Sequence, residues 1–171
     1  MHSRRSFLPL LAAPLVALRK AWAAAPGMRI TALETVYWKS RDDAPFWPHW
    51  TWLKIHTDSG ATGLGETYPH NAAEAEMIHS HLAPILLGRD AGNIERIWND
   101  LYHAMDFDIT GGAEIRTLSA VDLALWDLLG NVLQTPVYSL IGGRSNPRVR
   151  LYNTCFTHRY DFLKEPERIM Q

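Results

Sequence analysis

Two periodicities divide this chain. From Met28 to Thr67 apolar and polar positions tend to alternate, and from Asn71 onward apolar positions recur every three or four residues. The first pattern predicts strands. Met28–Trp38 is mixed apolar and β-favouring, and Trp50–Thr57 places Leu53 and Ile55 on one face with Trp52, Lys54 and His56 on the other. Asp58-Ser59-Gly60 reads as a hairpin turn with glycine where positive φ is required, and Ala61–Thr67 as the returning strand. Gly63 and Gly65, inside that strand, predict a bulge or a close approach by another backbone. The expected unit is a three-stranded antiparallel meander.

The second pattern predicts helices. Asn71, with Glu74 three residues on, reads as an N-cap ahead of an apolar face of Met77, Ile78, Leu82, Ile85 and Leu86, bent or ended by Pro84. Gly88-Arg89-Asp90 is a link, and Ile94, Ile97, Trp98, Leu101 and Met105 line a second helix. A loop at 106–112 leads to a long third helix at 113–134. There Ile115, Leu118, Asp122, Leu125, Leu129 and Val132 share one face, while Val121, Ala124, Trp126, Leu128 and Leu133 widen the apolar stripe until two sides need cover. Thr135-Pro136 should stop the helix, since the residue before proline is pushed out of helical geometry. Gly142-Gly143 then permits backbone conformations closed to residues with a Cβ. Strands followed by helices make an α+β fold with segregated elements: a meander and then a helical bundle.

The run Leu118 to Gly143, LSAVDLALWDLLGNVLQTPVYSLIGG, closely resembles the motif that ends the N-terminal domain of mandelate racemase and muconate-lactonizing enzymes in the enolase superfamily. The stretch Gly60 to Glu66, GATGLGE, resembles the hairpin of the same domain. Thr117 stands where that family most often has Ala, and Asn131 where Lys, Arg, Gln or Ser is usual. The resemblance covers about 28–160 and implies a capping domain over 28–143. Residues 144–171 would then be the first strand, near Arg148–Thr154, and the start of the first helix of a (β/α) barrel. One strand and part of a helix cannot close a barrel, so the chain reads as cut short of its catalytic half.

Family membership also implies a chemistry. In that family three barrel-strand carboxylates hold Mg²⁺, which stabilises the enolate formed by removing a proton next to a substrate carboxylate, with a Lys or a His–Asp pair as base. None of those residues can be assigned here, so no cofactor and no catalytic residue is expected in this chain, and Mg²⁺ is expected only in a full-length enzyme. The capping domain supplies loops over the barrel mouth. Here these are Lys39–His49 and Thr67–Asn71, and they make Trp47, His49, Tyr68 and His70 the candidate contacts to an acid-sugar carboxylate. The alternative is a catalytically silent exported domain used for binding or homo-oligomerisation.

The first 27 residues read as an address. Arg4-Arg5-Ser6-Phe7-Leu8 opens an apolar run to Leu18, then Arg19-Lys20 and Ala21-Trp22-Ala23-Ala24-Ala25 follow. The run is too short to span a bilayer at ~20 residues, and the arginine pair resembles a twin-arginine signal, implying export to the bacterial periplasm. Removing residues 1–25 takes four basic side chains and leaves thirteen against eighteen acidic, a net charge of −5. That balance argues against nucleic acid as a partner. The single Cys155 cannot form an internal disulfide.

Other candidate chemistry is weak. Asp122 and Asp127 lie five apart, about 140° around a helix, so they read as helix-surface contacts or hydrogen bonds to neighbouring backbone rather than as a metal or acid/base pair. His79 and His81 face different ways, no His-Glu-x-x-His motif occurs, and the serines lack a nucleophile-elbow context.

Overall fold

The computed structural model describes residues 28–39, 49–68, 72–105, 111–151 and Lys164. Three strands form one antiparallel sheet in the order β1 (Ile30–Lys39), β2 (His49–Thr57), β3 (Thr62–Thr67). The register pairs Leu33 with Ile55 and Thr35 with Leu53 across the first pair, and Leu53 with Gly65 and Ile55 with Gly63 across the second. The alternation holds as expected. Leu53 and Ile55 are fully buried, whereas Trp52, Lys54 and His56 lie on the opposite, part-exposed face. Gly60 turns the hairpin at φ 81°.

The outer face carries an aromatic row and an ionic cluster. Trp38, Trp50 and Trp52 follow one another at ring-centroid distances of 5.2 and 6.5 Å, and Trp52 Nε1 donates to Glu66 Oε2. At the other end Lys54 and His56 both hydrogen-bond Glu34, and these bonds hold its carboxyl below the ordinary value.

The helices cover the inner face. One helical run comprises α1 (Ala72–Glu76), a π-helical segment Met77–Leu82, and α2 (Ala83–Leu86). The π segment ends just before Pro84, which has no N–H to give and crowds the preceding turn, and the widened turn accommodates it. Gly88 N and Ala91 N donate to Ile30 O and Met28 O, tying the following link to the start of β1. Next come α3 (Ile94–Ala104), α4 (Gly112–Leu133) and the short α5 (Val137–Leu140). Ile78, Leu82, Leu86, Ile97, Leu101, Leu118, Val121, Leu125 and Leu128 join Leu53 and Ile55 in one core.

The glycines of β3 decide how α4 sits. A Cβ on Gly63 would lie 2.0 Å from Ala124 O, and one on Gly65 2.0 Å from Ala120 O. Backbone therefore meets backbone, and Ala120 and Ala124 become fully buried. Thr117, Leu118, Val121, Ala124, Leu125 and Leu128 point inward, while Ile115, Asp122, Leu129 and Val132 are only half-buried. The helix ends at Leu133, before the proline takes effect, on Gln134 in the left-handed region at φ 51°. Gly142 and Gly143 both have positive φ, as their pairing predicts.

The expected strand at Arg148–Thr154 is described only in part. Residues 148–151 carry no strand pairing, and Val149 and Leu151 are 80% and 87% exposed. A strand requires a ladder partner, and no described element lies alongside them. The rest of that expected strand, the expected helix start, Cys155 and the leader at 1–27 lie outside the described residues. No helix among the described residues is long and apolar enough to cross a membrane.

Candidate functional site

The meander gathers chain ends at one edge. Lys39 pairs with His49, and Thr51 with Thr67, so the exit of β1, the entry of β2 and the exit of β3 share one end of the sheet. Both candidate loops leave from that end. Trp47 and His70 lie outside the described residues, but His49 and Tyr68 anchor the two loops and are described.

The two anchors differ in character. His49 begins β2 and is 6% exposed; its Nδ1 lies 2.8 Å from Tyr37 Oη, and the two rings stack with 16° between their planes. It stands as a buried support at the loop's base, not as an exposed contact. Tyr68 is 52% exposed and borders a shallow groove of about 320 Å³ lined also by Glu66, Thr67, Ile115, Arg116 and Ser119.

Arg116 dominates that groove. Its guanidinium lies over the Tyr68 ring, 4.7 Å from the centroid, a distance at which a cation is attracted by the ring face. Its Nε donates to Glu74 Oε1 at 2.6 Å. Glu74 is completely buried, although its place in the sequence reads as the acidic partner of a helix cap. Its partner is 42 residues distant, on another helix, and no local motif announces such a pair. The available signal was only an arginine between Ile115 and the buried-face positions Thr117 and Leu118.

Of the two aspartates of α4, Asp127 ties the helix to the sheet. Asp127 Oδ2 accepts from Leu64 N at the open edge of β3 and from Asn131 Nδ2, satisfying a strand edge that would otherwise lack a donor's partner. Asn131, one of the two departures from the family pattern, thus steadies Asp127. The other departure, Thr117, is fully buried and returns its hydroxyl to Ala113 O and Glu114 O. Burial, together with the nearby Glu95 charge, raises the Asp122 carboxyl above its ordinary value, and a hydrogen bond from Trp126 partly offsets this. His79 Nε2 meets Thr35 Oγ1 at 3.0 Å, a contact between helix and sheet.

Among the described residues, no group of three or more His, Cys, Asp or Glu side chains is arranged to hold a metal ion. A Mg²⁺ ion needs several converging oxygen ligands, and the described donor set does not fit one. No chemical step is therefore derived through a metal here.

A three-stranded meander backed by helices, with its loop anchors at one end, defines a capping-type α+β domain. The family described as mandelate racemase / muconate lactonizing enzyme, N-terminal domain, matches residues 48–142, more than half of the chain, and the chain belongs to that family. It is 42% identical over 102 residues to a D-mannonate dehydratase of Xanthomonas oryzae pv. oryzicola, covering 58% of this chain and 24% of that protein. It is 43% identical over 103 residues to a 3,6-anhydro-alpha-L-galactonate cycloisomerase of Streptomyces coelicolor, covering 58% and 28%. Among solved structures, an enolase protein from the Sargasso Sea environmental genome sequencing superposes with TM-score 0.62 at 38% identity, covering 74% of this chain and 32% of that one. An enolase of the mandelate racemase subgroup from Agrobacterium tumefaciens gives TM-score 0.56 at 36% identity, covering 68% and 30%. The chain thus spans about a quarter to a third of the length of these relatives.

Proposed function

We propose that this chain is the lid and specificity domain of a Mg²⁺-dependent acid-sugar dehydratase or racemase, working by proton abstraction next to a carboxylate. The observation that carries the reading is the shared end of the sheet, where both candidate loops leave and where Tyr68, at the base of the second, borders the groove with Arg116. The relatives' names, D-mannonate dehydratase and D-galactonate dehydratase among them, supply the substrate class.

In this reading the domain binds and orients, while base and metal belong to a barrel. Trp47 and Tyr68 offer flat amphipathic surfaces to a polyhydroxylated acid, and His70 offers a ring nitrogen to a hydroxyl. His49 supports the first loop from beneath through Tyr37. Closure over the mouth would exclude water and strengthen every polar contact inside. We further propose export through the twin-arginine route, on the strength of Arg4-Arg5 and the apolar run that follows.

A domain exchange tests the reading. Residues 28–143 are put in place of the equivalent domain of the Xanthomonas oryzae D-mannonate dehydratase, and kcat/KM is measured for a panel of acid sugars. The expected chimera is active with a changed order of preference. Activity with the parent's order unchanged would favour the silent binding or oligomerisation domain instead.

A further inference from the structure

We infer that Arg116, locked by the buried carboxylate of Glu74, is a positioning residue that fixes the pose of Tyr68. The inference rests on the reading of Tyr68 as a substrate contact and names what holds it in place.

Three elements converge on this one residue. Thr67 Oγ1, at the last position of β3, donates to the Arg116 carbonyl at 3.4 Å. Tyr68, the next residue, lies under the guanidinium at 4.7 Å. Glu74, near the start of α1, accepts from Nε at 2.6 Å. The exit of β3 and the entry of α1 are thereby fastened to the same side chain, from a helix more than 40 residues further along the chain.

The energetics point away from a purely stabilising role. Glu74 is fully buried, and its Oε2 has no hydrogen-bond partner among the described residues. Half-satisfied buried carboxylates carry a desolvation penalty, and well-packed apolar residues often replace buried ion pairs at no loss of stability. The Arg116 side chain is 39% exposed, so the pair also opens to water. What the carboxylate supplies is direction. Engaging Nε fixes the plane of the guanidinium, and a fixed plane can lie on an aromatic face. Lysine cannot do both: its ammonium is a point charge that must choose between Glu74 and the ring.

The test uses the whole 171-residue chain labelled with 3-fluorotyrosine. It has six tyrosines, and Tyr68→Phe assigns the Tyr68 ¹⁹F resonance. Arg116→Lys is expected to fold with a Tm near that of the unsubstituted chain while the Tyr68 resonance moves toward its unfolded-chain position and the other five stay in place. The double variant Glu74→Met/Arg116→Met is expected to behave in the same way. An unmoved Tyr68 resonance in Arg116→Lys would overturn the inference. So would a drop in Tm with all six resonances shifting together, or failure of the double variant to fold, since either would give the pair a structural role. No substrate enters this measurement, so its outcome is separate from that of the domain exchange.

Discussion

Replacing Gly65 by alanine should open the contact between sheet and helix on which this domain is built. The new Cβ would fall 2.0 Å from the Ala120 carbonyl oxygen and 3.0 Å from Ala124 N. Neither atom is the flexible end of a side chain; both belong to the middle of α4. To restore ordinary contact the helix must retreat by well over an ångström. Gaps of only ~0.5–1 Å already forfeit a quarter to a half of each dispersion contact. Leu118, Val121, Leu125 and Leu128 would all lose contacts together, because they ride on the same helix. Overpacking typically costs ~1–3 kcal/mol, and a main-chain obstruction belongs at the top of that range. At ~3 kcal/mol, and roughly 4–8 °C per kcal/mol for a domain near 100 residues, Tm should fall by roughly 12–24 °C. Gly60→Ala is the control. Its φ of 81° penalises a side chain, but nothing lies within 4 Å of the new Cβ, so about 1 kcal/mol of backbone strain should be the whole effect. Thermal unfolding followed by circular dichroism compares the two. A Gly65→Ala protein no less stable than Gly60→Ala would refute the backbone-on-backbone packing.

Three further outcomes are expected. Asp122 has its carboxyl raised in the folded state by burial and by Glu95, so its ionisation opposes folding; that penalty is absent below the unfolded value of 3.8 and sets in as pH rises through the folded value. Asp122→Asn, which can still accept from Trp126, should therefore gain Tm over the unsubstituted chain at pH 7 and lose that advantage near pH 3, and an equal difference at both pH values would contradict the assignment. Changing Arg4 and Arg5 to Lys should leave the precursor in the cytoplasm, which fractionation and immunoblotting would check; undiminished periplasmic protein would mean another route. Titration calorimetry of the purified chain with Mg²⁺ should show no tight stoichiometric site, because no described carboxylate cluster converges to form one.

Features set by neighbours in sequence were legible in this chain, and those set by distant partners were not. The alternation at Leu53 and Ile55 gave the buried face of β2, and the interior glycines of β3 announced a close backbone approach that α4 supplies. The apolar stripe of α4 was legible too, with Leu118, Val121, Ala124, Leu125 and Leu128 in the core and Ile115, Leu129 and Val132 packed against it, but not that the Ala120 and Ala124 carbonyls would be the atoms seated on those glycines. Pro84 signalled a break in the helix, but not that a π-helical segment would absorb it. Glu74 had the spacing of a capping residue and became a buried ion-pair partner, since Arg116 reaches it across 42 residues. His49 had the look of a loop residue, yet it opens β2 and is buried against Tyr37. Residues 148–151 had strand composition but found no described partner to pair with.

In the proposed function the domain selects substrate while base and metal belong to a barrel. Tyr68→Ala in the chimeric dehydratase tests it most directly, through kcat/KM for two acid sugars and the Mg²⁺ concentration for half-maximal activity. Loss of one good contact is worth roughly 1–3 kcal/mol in transition-state binding, so KM should rise and the ratio of the two kcat/KM values should change by about tenfold. The Mg²⁺ requirement should stay where it was. An equal loss for both substrates, accompanied by a higher Mg²⁺ concentration for half-maximal activity, would show that this end of the sheet shapes the catalytic centre itself and would contradict the proposal.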